Sequence, residues 1–225
     1  MKNLITIDGP SGVGKGTLAI ALAEILQWHY LNSGSLYRII AYLSEKNNID
    51  ISDITTLVNL VKNLEIRFEI DNRYLKIIHH NNDIYKLLQS EDCAKLASEI
   101  ALVKELRMAL TKTQRSFYKN PGLIAEGRDM GSIIFVEAEL KFFLKASALI
   151  RAERRHKQLK QKGINVSLTQ LIHKLDQRDE RDLNRSVSPL VIPEGAVIIN
   201  TDGLDINEVI DTASKSINKI LKIKI

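Results

Sequence analysis

Cysteine is almost missing from this chain: Cys93 is the single one in 225 residues. No internal disulfide can form, which fits a reducing compartment. Aromatic residues reach only 5%, and no stacking platform for nucleic-acid bases is visible among them. No apolar run approaches the roughly 20 residues that cross a bilayer. There is no internal repeat and no low-complexity tract. The first residues, Met1 to Leu4, begin like a signal peptide. Asp8 and a glycine-rich loop then interrupt that pattern, so a signal peptide is excluded. The expectation is a cytoplasmic monomer with neither membrane nor nucleic acid as a partner.

What is present is ordinary globular composition, 44% hydrophobic and 26% charged. A chain of this length can bury a sizeable core without metals or disulfides. The net charge is +5. Such a balance suits either a nucleic-acid binder or a site for a small polyanion, and the placement of the charge decides between them.

The apolar run Leu4 to Asp8 reads as a buried strand, Gly9 to Lys15 as a loop, and Thr17 to Leu26 as a helix. That order predicts an α/β fold with a parallel sheet. Further core strands are expected at His29 to Leu31, Leu123 to Ala125, Lys141 to Leu144 and Ala196 to Asn200, with a last helix from Ile206. Leu64 to Ile70 alternates, turns at Asp71-Asn72 and returns over Tyr74 to Ile78, with a third strand expected at Asp83 to Leu88. This patch reads as an inserted antiparallel subdomain. Two helices follow it, near Asp92 to Leu102 and Lys104 to Tyr118. Arg151 to Arg185 reads as a charged helical hairpin turning near Gly163.

The loop Gly9-Pro10-Ser11-Gly12-Val13-Gly14-Lys15-Gly16-Thr17 carries the chemistry. Glycines let successive backbone N–H groups curl toward triphosphate oxygens, and the following helix adds its free N–H groups. Lys15 reaches the β and γ phosphates. The hydroxyl that usually follows the lysine directly is displaced here to Thr17, with Gly16 between. That argues against a switch or motor protein and for a small-molecule kinase. Thr17 is the one candidate side chain for Mg²⁺.

Four more clusters carry charge or hydroxyls. Ser33 to Arg38 forms either a second phosphate cradle or a plain helix cap. Glu126-Gly127-Arg128-Asp129 lies just beyond a strand, where open α/β sheets bind ligands, or forms a structural ion pair. Arg178, Arg181, Asp182 and Arg185 fall on one helical face by spacing, which suits an anion or a solvated surface. Arg151, Arg154, Arg155 and Lys157 form a basic helix, solvated or RNA-binding. Transfer of a phosphoryl group to a phosphorylated acceptor explains all four together, since cations must neutralise the charge in flight.

The chain resembles the bacterial cytidylate kinase family nearly end to end. The resemblance rests on I-T-I-D-G-P-S-G-V-G-K-G-T at Ile5 to Thr17, S-G-S-L-Y-R at Ser33 to Arg38, G-R-D-M-G at Gly127 to Gly131, and R-D-E-R-D-L-N-R-S-V-S-P-L at Arg178 to Leu190. It implies a five-stranded parallel P-loop kinase core over 1–60, 120–150 and 186–225. It also implies a CMP-binding insertion over 61–119 and a lid over 151–185. The implied reaction is ATP with CMP or dCMP, assisted by Mg²⁺. By position, Ser33, Arg38, Arg128 and Arg185 would hold the CMP phosphate. Ser98, Arg107 and Asp129 would contact cytosine, and Arg178 and Asp182 the ribose. Lys15, Arg128, Arg178 and Arg185 would carry catalysis. Three positions depart from the family pattern: Asn32 and Glu126 where Asp is usual, and Leu183 where Arg is frequent. The rivals are a kinase for UMP or another small acceptor, and a P-loop regulatory or RNA-associated protein.

Overall fold

The computed structural model describes residues 3–161 and 163–223. Five strands form one parallel sheet: β1 (Leu4–Asp8), β2 (His29–Asn32), β6 (Leu123–Gly127), β7 (Leu140–Lys145) and β8 (Val197–Asn200), in the order β2-β6-β1-β7-β8. β1 and β6 are buried along their whole length, as strands covered on both faces must be. The chain divides into two compact units, Met1–Leu18 with Gly127–Ile225, and Ala19–Glu126.

In the first unit β1 runs beside β7, with Ile5 opposite Leu140 and Asp8 opposite Phe143. The chain leaves β1 through the glycine-rich loop into helix α1 (Lys15–Leu26). Later come α6 (Ala148–Gln161), α7 (Leu168–Asn184) and α8 (Ile206–Ile220). A capping box at Asp205 and Glu208 starts α8. The α6–α7 hairpin has its own small core of Ala152, Leu159 and Leu171, lined by Val166, Leu168, Ile172 and Leu175. It therefore holds together as one piece.

In the second unit β2 pairs with β6, His29 opposite Leu123 and Asn32 opposite Glu126. Helix α2 (Ser33–Lys46) packs on α4 (Glu91–Ile100), and α3 (Ile54–Lys62) on α5 (Lys104–Ser116). A separate antiparallel sheet is made of β3 (Ile66–Asp71), β4 (Tyr74–His79) and β5 (Asn82–Asp83). Asn72 and Arg73 both have positive φ, the signature of a two-residue hairpin turn that matches strand twist.

Two expectations change. The third antiparallel strand stops at Asp83, and Tyr85–Gln89 is a short 3₁₀ turn. The Asp83 carboxylate accepts from the amides of Ile77 at 3.1 Å and Tyr85 at 2.9 Å, which bends the chain out of the sheet. Helix α3 had no counterpart in the sequence reading. Its signal was Asp53, whose side chain caps the helix by accepting from Thr56 N at 3.0 Å, ahead of buried Leu57 and Val61.

Candidate active site

The glycine-rich loop closes on itself in the first unit. Gly12 and Gly14 adopt φ of +83° and +94°, a region closed to most side chains. Lys15 opens α1 and is 7% exposed. Its Nζ donates to Pro10 O at 2.7 Å, so the ammonium arches back over the loop. Gly16 and Thr17 follow in the first turn, with Thr17 exposed. Ser11 O accepts from Arg151 Nη1 at 3.1 Å, and Val13 O from Thr201 Oγ1 at 3.3 Å.

Arg151 thus ties the loop to α6, and it also pairs with Asp179 of α7 at 2.6 Å. Arg154 donates to both Thr201 Oγ1 and Thr201 O. The Arg151, Arg154, Arg155 and Lys157 run is therefore not simply a solvated or RNA-binding surface. Two of its members are inward-facing structural donors.

Asp8 organises the motif Gly127 to Gly131. The end of β1 delivers its carboxylate, fully buried, between two backbone amides, Met130 N at 2.9 Å and Gly131 N at 2.7 Å. Burial raises its pKa to about 6, against the lowering effect of those two amides, and Asp129 and Lys15 both act on it electrostatically. Sequence reasoning missed this role. The signal was an acidic residue inside an otherwise apolar strand. Asp129, 3% exposed, precedes the single wide π-helical turn Met130–Ile134. Gly131 is obligatory for space: a Cβ there would lie 2.7 Å from Thr6 Oγ1 and 3.0 Å from Pro193 Cγ.

Three arginines converge on one carboxylate. Arg128 Nε donates to Asp182 Oδ2 at 2.7 Å, and Arg185 Nη1 lies 3.9 Å from Asp182 Oδ1. Burial alone would raise the Asp182 pKa. Arg128, Arg178 and Arg185 outweigh it and hold the group below the usual carboxylate range. The reading that Arg178, Arg181, Asp182 and Arg185 share one helical face needs correction. α7 ends at Asn184, and Arg185 is extended, with φ −64° and ψ 137°. Its Nε donates to Ser188 O. Arg181 is exposed and donates to Gln177 O at 3.2 Å. Arg128, from a distant motif, takes the place given to Arg181.

In the second unit Asn32 caps α2 by accepting from Ser35 N at 2.8 Å. Ser33 is buried and accepts from Gln114 Nε2 at 2.8 Å. Arg38 Nη1 donates to Leu88 O at 2.6 Å. Arg107 lies over the Tyr37 ring at 5.6 Å and donates to Ala101 O at 3.1 Å. Ser98 turns back onto Ala94 O within α4. Asn32 and Glu126, two of the three departures from the family pattern, meet: Asn32 Nδ2 donates to Glu126 Oε1 at 2.7 Å.

Comparison with known proteins decides the family. A family model described as cytidylate kinase matches residues 5–219. The chain belongs to the cytidylate kinase family. It is 42% identical over 212 residues to the cytidylate kinase of Aeromonas salmonicida, covering 94% of this chain and 92% of that one. The cytidylate kinase of Pectobacterium carotovorum is 43% identical over 221 residues, 98% of each chain. That of Escherichia coli O1:K1 is 43% identical over 210 residues, covering 93% of this chain and 92% of that one. Cytidylate kinases are nucleotide-binding phosphotransferases. Among the described residues, no helix is long and apolar enough to cross a membrane.

Among the described residues no cluster of three or more His, Cys, Asp or Glu could hold a metal. Both Asp8 oxygens are occupied by backbone amides. The Thr17 hydroxyl on the first turn of α1 is exposed. That sparse set fits Mg²⁺, which keeps several waters and is held mainly through substrate phosphates.

Proposed function

We propose that this chain transfers the terminal phosphoryl group of ATP to CMP, and to dCMP, giving ADP and the diphosphate. The observation that carries the reading is the pairing, in one compact unit, of a phosphate loop opening α1 at Lys15 with the Arg128, Arg178 and Arg185 cluster on Asp182. A phosphoryl group in transfer spreads charge over its equatorial oxygens, and fixed cations stabilise that charge without reorganising.

The roles follow from residue chemistry. The backbone amides of Gly9 to Thr17 cradle the donor phosphates, and Lys15 turns from Pro10 O to the β and γ oxygens. The Thr17 hydroxyl, together with the donor phosphates, would hold Mg²⁺, which would supply further charge neutralisation. Ser33, Arg38, Arg128 and Arg185 take the CMP phosphate. Arg178 and Asp182 reach the ribose. Ser98, Arg107 and Asp129 read cytosine: a carboxylate accepts from N4, and a guanidinium donates to N3 and O2. No side chain has to act as general base, because the acceptor phosphate is already an oxyanion.

Residues 61–119 serve as the CMP-binding insertion and 151–185 as a lid that excludes water when both nucleotides bind. The self-contained core of the α6–α7 hairpin supports motion as one piece.

ADP formation from ATP is measured with each nucleoside monophosphate in turn. CMP is expected to lead UMP by up to about 10⁴, since a site built for specific hydrogen bonds rejects a mismatched analogue. Equal turnover of CMP and UMP would overturn the cytosine reading. ATP hydrolysis indifferent to any monophosphate would overturn the transfer itself. Asp129→Ala is expected to narrow the CMP/UMP ratio with little change in KM for ATP.

A further inference from the structure

We infer that Asn32 and Glu126 form a coupled positioning pair that sets the acceptor-binding end of α2. The inference rests on the acceptor reading above. The parallel register makes the two residues Cα partners at the ends of β2 and β6, so their side chains leave the sheet on the same face. Glu126 is 5% exposed.

Three atoms make a closed triangle. Asn32 Nδ2 donates to Glu126 Oε1 at 2.7 Å, Tyr30 Oη donates to the same oxygen at 2.5 Å, and Asn32 Nδ2 lies 3.3 Å from Tyr30 Oη. The Tyr30 ring is itself clamped edge-on by Phe68 at 5.8 Å, and Phe68 leans on Phe117 at 5.3 Å. The other end of the Asn32 side chain is also occupied, as Oδ1 accepts from Ser35 N at 2.8 Å. One amide therefore fastens the first turn of α2 to a buried carboxylate on β6. Ser33 lies in that first turn and Arg38 one turn further along, and both are assigned to the CMP phosphate.

The pair is directional. Asn32→Asp keeps the helix cap, because Asp accepts from Ser35 N as well as Asn does. It places a second carboxylate oxygen against Glu126 Oε1, however, and two ionised carboxylates do not share such a contact. Glu126→Gln added to Asn32→Asp reverses every bond in the triangle without moving an atom. The introduced glutamine then donates through its Nε2 to the introduced carboxylate and to Tyr30 Oη, and Tyr30 Oη donates to that same carboxylate.

The test measures kcat and KM for CMP and for ATP in the full chain, for wild type, Asn32→Asp, Glu126→Gln and the double variant. Asn32→Asp is expected to raise KM for CMP by about tenfold or more and to leave KM for ATP within about twofold. Glu126→Gln alone has a small effect, and the double variant returns to its level. An unchanged KM for CMP in Asn32→Asp, or an equal rise for both substrates, overturns the inference. So does a double variant no better than Asn32→Asp. If Asn32→Asp does not fold, the double variant decides: near-wild-type KM for CMP supports the pair, and a raised one overturns it. A wild type idle on CMP would overturn the acceptor reading and this inference with it. A wild type active on CMP without rescue overturns the inference alone.

Discussion

Arg128 Nε and Asp182 Oδ2 meet at 2.7 Å across 54 residues of chain. The bond fastens the turn after β6 to the last part of α7. Asp182→Ala leaves Arg128, Arg178 and Arg185 facing one another. It is expected to cost about 1–3 kcal/mol of stability, as for loss of a partly buried hydrogen bond to a charged group, and to raise KM for CMP. The pKa of Asp182 is lowered in the fold. Its contribution is thus present above the unfolded pKa of 3.8 and is lost as pH falls through the lower folded value. Denaturant midpoints of wild type and variant should therefore converge in acid. A gap that does not narrow there argues against the ion pair as the source.

Lys15 should matter most while the phosphoryl group is in flight. Lys15→Ala is expected to lower kcat by about 10² or more, the range for a lost electrostatic stabiliser. Steady-state ADP release measures it. A variant within a small factor of wild type would remove Lys15 from the chemistry.

Asp8 makes stability fall as pH rises. Its folded pKa of about 6 exceeds the unfolded 3.8, so the fold favours the neutral form. The contribution is full below 3.8 and is lost as pH climbs through about 6. The difference corresponds to roughly 3 kcal/mol at about 1.4 kcal/mol per pH unit. Asn does not titrate, so Asp8→Asn should destabilise more at about pH 4 than at about pH 7.5. Unfolding curves at the two pH values give the comparison, and a pH-independent difference would contradict the assignment.

Gly131→Ala drives a methyl group to 2.7 Å from Thr6 Oγ1. Thr6 lies in fully buried β1. Overpacking of this kind costs about 1–3 kcal/mol. Among the described residues Thr6 Oγ1 has no hydrogen-bond partner, so Thr6→Ala opens the space without breaking a described bond. The double variant should recover part of the loss in thermal unfolding. A double variant worse than Gly131→Ala would place the strain elsewhere.

The strands and the phosphate loop were legible because their signals are local. Leu4 to Asp8 is apolar, Gly12 and Gly14 permit positive φ, and Lys15 starts a helix-forming run. The antiparallel hairpin was legible from alternation and from Asp71-Asn72. The strand expected over Asp83 to Leu88 failed because a side-chain carboxylate captured two amides and turned the chain. The shared face of Arg178, Arg181 and Arg185 failed because spacing assumes an unbroken helix, and α7 stops before Arg185.

The order of residues alone determined the phosphate loop, the parallel and antiparallel sheets, and the family, since each depends on neighbours in the chain or on motifs at fixed spacing. Tertiary structure alone decided which charge meets which. Asp8 reaches Met130 over 122 residues, Asn32 reaches Glu126 over 94, and Arg128 reaches Asp182 over 54. Partner choice over such distances follows from strand order, register and helix ends. A buried polar group takes the partner the fold brings within about 3 Å, because leaving it unpaired costs more than any local preference returns.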